Sequence, residues 1–124
     1  MQINNVGWFE IGSDRPKETQ EFYSKLFGWK FIEYNDMENK YYNILEPGQK
    51  FTTGGILDTD STDTKIPEYS TFYILVEDVP AMVKKAEEAG GKVIWGPVTD
   101  KTGLTFVRLE DNGGHQFGMF SSPQ

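Results

Sequence analysis

The sequence predicts an α+β fold: two βαβββ modules whose strands form a cupped, mixed sheet with a ligand cleft. Three observations carry this prediction. Helix punctuation occurs twice, with Asp14 and Pro16 opening one helical stretch and Asp78 and Pro80 another, and with Gly28 and Gly90 closing them, a repeat of roughly 63 residues. Each helical stretch is preceded by one strand-like segment and followed by three. Between the copies lies a polar, aperiodic stretch, residues 58–67. A four-stranded sheet with a single helix buries only one of its faces, so the two modules are expected to pair and leave a concave surface for a ligand.

In the first module, residues 2–12 have strand character and Ser13-Asp14-Arg15-Pro16 places an acid and a proline where a helix starts. Phe22, Tyr23, Leu26 and Phe27 then fall on one helical face, an aromatic-rich stripe expected to be buried, and Gly28 is placed as the C′ residue. Residues 29–34 and 40–45 alternate as the two strands of a hairpin, and Glu46-Pro47-Gly48-Gln49 is a turn. Residues 51–57 form the last strand, whose Gly54-Gly55 pair leaves bare backbone on the sheet. The second module repeats this order. Residues 69–76 are a strand, Val79, Met82, Val83 and Ala86 are the helical stripe, and residues 92–95, 104–109 and 115–120 are strands separated by turns at Gly96-Pro97 and Asp111-Asn112-Gly113-Gly114.

With 124 residues the chain suits one domain, 1–124, built of a module over about 2–57, a linker over about 58–67 and a module over about 68–120. A formal charge of −7 argues against nucleic acid as a partner, because phosphate binding needs clustered Lys and Arg, and it favours cationic ligands. The absence of Cys removes disulfides, thiolate metal sites and cysteine nucleophiles. No membrane-spanning run and no signal peptide are present, so a cytoplasmic location is expected. No nucleophile–base pair or phosphate-cradling loop is visible, since Gly90-Gly91 ends a helix rather than opening one. Aromatic residues make up 15% of the chain, enough to line a pocket as well as a core.

Three segments resemble the vicinal oxygen chelate superfamily, which includes glyoxalases, extradiol dioxygenases and bleomycin and fosfomycin resistance proteins. They are residues 6–11 (Val-Gly-Trp-Phe-Glu-Ile) with 22–29 (Phe-Tyr-Ser-Lys-Leu-Phe-Gly-Trp), residues 76–79 with 89–93, and residues 110–120 (Glu-Asp-Asn-Gly-Gly-His-Gln-Phe-Gly-Met-Phe). The resemblance spans nearly the whole chain and implies a single glyoxalase-like domain of paired βαβββ modules. Metal-dependent members chelate a divalent cation with His, Gln or Glu from the first and last strands of each module. Ungapped counting puts those positions at Trp8, Thr71, Gly118 and the stretch 54–56, none of which is a ligand, so no metal and no cofactor is expected. A one-residue slip would turn every side chain to the other face. Glu10 shares the parity of Trp8, and Gln116 that of Gly118; with water they would make only a weak hard-cation site.

Glu10 is the candidate catalytic carboxylate, as a base or acid or as a counter-charge for a cation, against the alternative of a solvated sheet-face Glu. Trp8 either stacks on a flat or cationic ligand or fills the core. Thr71 and Tyr73 would supply hydroxyls, and Gly118 and Gly54-Gly55 close approach, with a β-bulge as the alternative. His115 reads as a turn-proximal residue more readily than as a base, and Trp95 and Phe72 as core or dimer contacts. The expected function is metal-free binding of a small aromatic or cationic molecule in a cleft lined by Trp8, Glu10, Thr71, Tyr73, Gln116 and Gly118. The alternatives are a lyase, isomerase or dioxygenase that uses a displaced metal or Glu10, and an interaction module without a ligand. The resemblance also implies a homodimer.

Overall fold

Each helix has a proline among its first two residues and is followed within two residues by a glycine of positive φ, Gly28 after the first helix and Gly90 after the second. In the computed structural model, which describes residues 2–62 and 66–123, the elements run β1 (Val6–Ser13), α1 (Pro16–Phe27), β2 (Lys30–Tyr34), β3 (Tyr41–Leu45), β4 (Gly54–Asp58), a 3-10 turn (Thr59–Ser61), β5 (Tyr69–Leu75), α2 (Val79–Glu88), β6 (Lys92–Thr99), β7 (Thr105–Glu110) and β8 (Gln116–Ser121). Gly28 takes φ 72° and donates its N–H to the carbonyl of Ser24, which closes α1. The Asp78 carboxylate accepts from the N–H of Ala81 and caps α2. No side chain caps α1: Ser13 accepts from the N–H of Arg15 and shares a hydrogen bond with Thr19, while Asp14 points to the exposed Arg15.

The chain forms two compact units, Trp8–Ser70, and Met1–Gly7 with Thr71–Gln124. In the first, the strand order is β2-β3-β4-β1, with β1 parallel to β4 and the other pairs antiparallel. In the second, the order is β6-β7-β8-β5, with β5 parallel to β8 and the rest antiparallel. Both units therefore share one βαβββ topology, in which the helix is the crossover between the first strand and the second, which runs in the same direction. The N-terminal residues join the second unit, through the N–H of Asn4 on the carbonyl of Leu75 at 2.6 Å and the N–H of Leu75 on the carbonyl of Asn5 at 3.0 Å.

One face of each sheet is covered by its helix. In the second unit Val76, Val79, Val107, Leu109 and Met119 form the core, with Ile74, Met82, Val83, Ala86, Val93 and Phe117 packed around it. In the first unit Ile44 and Ile56 are fully buried, and Tyr23 of α1 stacks on Trp29 at 4.9 Å, which in turn meets Phe9. Among the described residues no helix is long and apolar enough to cross a membrane.

Four sequence expectations need correction. The stripe Phe22, Tyr23, Leu26 and Phe27 is not buried as a whole: Tyr23 is half-buried, but Phe22, Leu26 and Phe27 are 58%, 57% and 54% exposed. Adjacent helical residues point about 100° apart, so Phe22 and Tyr23 cannot both face a sheet that takes only the Pro16–Tyr23 row. The first-module strand expected over 51–57 starts only at Gly54. Gly96-Pro97 is not a turn, because β6 runs through it to Thr99 with shifts of register against β7, a bulge that keeps the strand paired. The stretch 58–67 is not featureless: Asp58 ends β4 and caps the 3-10 turn, and Thr59 and Thr62 are buried, while residues 63–65 lie outside the described residues.

Candidate functional site

The face of each sheet away from its helix collects the polar and aromatic side chains. On β1 the alternation puts Trp8, Glu10 and Gly12 on that face, and the pairing of Glu10 with Gly55 and of Gly12 with Leu57 sets their neighbours. The two glycines are there because rings lie on them. A Cβ at Gly55 would sit 2.2 Å from the Tyr41 ring, and one at Gly12 would sit 2.1 Å from the ring of Tyr69. Laid flat on bare backbone, both rings aim their hydroxyls at one carboxylate.

The result is a continuous hydrogen-bonded chain. Trp8 Nε1 donates to Tyr41 Oη at 2.8 Å, Tyr41 donates to Glu10 Oε1 at 2.7 Å, and Tyr69 donates to Glu10 Oε2 at 2.5 Å. Glu10 is 6% exposed and Tyr41 likewise. A carboxylate accepts only, and here both of its oxygens receive a hydroxyl, which suits the ionised form. Burial pushes the Tyr41 phenol well above its ordinary value, and the neighbouring Glu10 charge adds to that. Tyr41 thus stays protonated, the state in which it can donate to Glu10 while accepting from Trp8.

The second unit repeats the arrangement with different chemistry. Tyr73 pairs with Gly118, Gly118 with Arg108, and Arg108 with Trp95, so these four form one row across the face away from α2. Tyr73 stands where Glu10 stands in the first unit, and Gly118 where Gly55 stands, at the spacing of the sequence repeat. A Cβ at Gly118 would meet the Tyr73 ring at 2.4 Å. Arg108 is 2% exposed, and Thr71, on the same face, keeps a buried Oγ1 without a hydrogen-bond partner. Gln116 is exposed opposite Glu110, and Trp95 is half-buried against Phe106 at 5.7 Å.

Trp8 and Glu10 are therefore brought together through Tyr41, and Tyr73 lies directly on Gly118, with Thr71 and Gln116 on the same face by parity. His115 stands apart in the exposed turn before β8, with Nδ1 3.1 Å from Asp111, whose carboxyl is held below its ordinary value mainly by the N–H groups of His115 and Gly113. Phe72 has the opposite parity and is 42% exposed. Sequence reasoning missed Tyr41, Tyr69 and Arg108. Its one usable signal was the glycine opposite Glu10, which marks a close approach without saying which ring makes it.

The superfamily's metal does not fit these residues. The positions that ungapped counting matches to the superfamily's ligands, Trp8, Thr71, Gly118 and the stretch 54–56, offer no His, Gln or Glu, and each oxygen of the nearby Glu10 accepts a phenol hydroxyl. Among the described residues no group of three or more His, Cys, Asp or Glu side chains could hold a metal ion.

Comparison with known proteins agrees with this architecture. The chain is 29% identical over 125 residues to the anthracycline biosynthesis protein DnrV of Streptomyces peucetius, covering 91% of this chain and 45% of that protein. It is 27% identical over 126 residues to a Mycobacterium tuberculosis protein described as the putative glyoxylase CFP32, covering 98% of this chain and 47% of that protein. The chain thus spans about half the length of the curated relatives it matches. Its fold resembles that of Streptomyces coelicolor methylmalonyl-CoA epimerase, with a TM-score of 0.69 at 15% identity over 99% of this chain and 100% of that one. The model of the Glyoxalase/Bleomycin resistance protein/Dioxygenase superfamily matches residues 5–119, and the chain belongs to that superfamily.

Proposed function

We propose that the chain binds a small, flat aromatic molecule without a metal, on the helix-free face that carries Trp8, Tyr41 and Tyr69. The observation behind this reading is the use of Glu10. Metal-dependent members of the superfamily gather several ligating side chains around a cation, whereas here Glu10 holds two phenols in place and, through Tyr41, the indole N–H of Trp8, and among the described residues no group of three His, Cys, Asp or Glu side chains surrounds a common point. Rings whose rotamers are locked by hydrogen bonds lose little entropy when a ligand stacks on them, so the network is a means of preorganisation. In this role Glu10 positions Tyr41 and Tyr69 and does not abstract a proton. The relatives named for anthracycline biosynthesis support an aromatic ligand.

The test is quenching of tryptophan fluorescence by a set of compounds of one size: a polycyclic quinone, a naphthyl alcohol and a naphthylmethylamine. Protein stripped with EDTA and desalted is compared with protein incubated with Mn, Co, Ni or Zn. Micromolar binding of at least one compound is expected with and without metal, weakened about tenfold by Trp8→Leu. Binding that appears only with a stoichiometric metal, or no binding of any compound up to millimolar concentration, would overturn the proposal.

A further inference from the structure

The polar network around Glu10 spends its donors on itself. The indole N–H of Trp8 goes to Tyr41, and the hydroxyls of Tyr41 and Tyr69 go to the two oxygens of Glu10. These groups hold the rings in place, and a ligand's own polar atom must be met by another side chain. Asn43 stands where that side chain is needed. On β3 it lies two residues from Tyr41 and so on the same face, while its neighbour Ile44 points to the covered side and is fully buried. The register puts it in one row across the four strands of the first unit, between Gly55 and Ile32, with Glu10 beyond Gly55. The Tyr41 hydroxyl lies over Gly55, where a Cβ would collide with it, and directly opposed residues have Cβ atoms about 5 Å apart, so the Asn43 side chain stands beside the hydroxyl end of that ring. Asn43 is half-buried, and among the described residues its amide makes no hydrogen bond. Its surroundings are otherwise apolar: Ile32, directly opposite, is 51% exposed, and the Tyr34 ring meets Tyr41 edge-on at 6.2 Å. Asn is a poor strand former, and an amide among rings is the kind of placed polar group that orients a ligand in an aromatic site.

We infer that Asn43 determines the specificity of this face, and that the ligand is an uncharged flat molecule whose ring carbonyl accepts a hydrogen bond from the Asn43 amide while its rings lie against Tyr41 and Trp8. The inference rests on the binding reading above and supplies its polar half. The supply of donors decides the class. A ligand hydroxyl, itself a donor, is drawn to the charged oxygens of Glu10, whereas a ligand carbonyl needs an N–H or O–H, and with those of Trp8, Tyr41 and Tyr69 engaged it finds one in the Asn43 amide, which carries two. Glu10 is buried and ionised, so a carboxylate or phenolate on the ligand is repelled in a site of low dielectric. A site that hydrogen-bonds a substituent rejects the analogue lacking it, because the amide is then covered without a partner.

Three bicyclic probes of one size test it: chromone, with a ring carbonyl, 2-naphthol, with a hydroxyl, and naphthalene, with neither. Kd values are read by tryptophan quenching at neutral pH on the full chain. The wild-type protein is expected to bind chromone about tenfold more tightly than either of the others, and Asn43→Leu to bind naphthalene at least as well as the wild type while losing the preference for chromone. The wild-type protein also reads the contact without any substitution: in nuclear magnetic resonance spectra the assigned side-chain amide of Asn43 should move downfield with chromone and not with naphthalene. Naphthalene or 2-naphthol bound as tightly as chromone, a preference that survives in Asn43→Leu, or an Asn43 amide unmoved by chromone would each overturn the inference and leave the binding face standing. Binding of none of the three would overturn that reading, and the inference with it.

Discussion

Replacing Tyr41 with Phe removes a single oxygen and two hydrogen bonds. The ring, which lies on Gly55, stays in place, so no cavity opens and the change is confined to the polar network. Glu10 loses a donor to a buried charged oxygen, a loss of about 1.5–3 kcal/mol, and the part-buried Trp8 N–H loses its acceptor, about 1 kcal/mol more. Together they predict destabilisation by about 2–4 kcal/mol. In urea, with a slope near 2 kcal/mol/M for a chain of this size, the midpoint should fall by about 1–2 M. Tyr42 supplies the control: it is the next residue along β3, pairs with Ile56, and faces the other side, so Tyr42→Phe should change stability by less than about 0.5 kcal/mol. In a double-mutant cycle, Glu10→Gln and Tyr41→Phe should couple by more than about 1 kcal/mol. A Tyr41→Phe midpoint within error of wild type would refute the reasoning, because it would mean that Glu10 does not depend on the Tyr41 hydroxyl.

Three further outcomes follow from the same geometry. Gly118→Ala drives a methyl group into the body of the buried Tyr73 ring and should cost about 1–3 kcal/mol, read as a lower midpoint in thermal unfolding. Asp78→Ala removes the cap of α2 and should cost about 1 kcal/mol in the same experiment, whereas Asp14→Ala, which caps nothing, should cost little. The Tyr41 phenol is raised above its unfolded value near 10, so its contribution to stability is intact below about pH 10 and is lost as pH rises from there through the folded value. Ultraviolet titration of the native protein should accordingly show a late-ionising phenol among the six tyrosines, and Tyr41→Phe should abolish that late phase.

Much of this molecule is legible in the chain because its signals are local. Prolines, caps and glycines act within a turn of their own position, so the two helices, the order of the strands and the repeat could be read from Asp78, Pro16, Pro80 and Gly28. The period of two along a strand placed Trp8 with Glu10 and Thr71 with Tyr73, and the pairings of Glu10 with Gly55 and of Tyr73 with Gly118 keep the equivalence that the repeat implied. The stripe on α1 misled because amphipathic spacing reports where apolar residues sit around a helix, not how wide a surface is available to cover them.

What sequence determined by itself was therefore the modular α+β fold and which strand residues of interest share a face. Tertiary structure alone decided which partners those residues meet. Tyr41 reaches Glu10 across 31 positions of chain and Tyr69 across 59, and Arg108 enters the row with Tyr73 only through the pairing of β7 with β8. Such partners are set by cross-strand register and by which glycine leaves room for which ring, and neither is encoded in the few residues on either side. The carboxylate of Glu10, a candidate base in the chain, accepts in the folded protein from two tyrosines that local sequence did not point to.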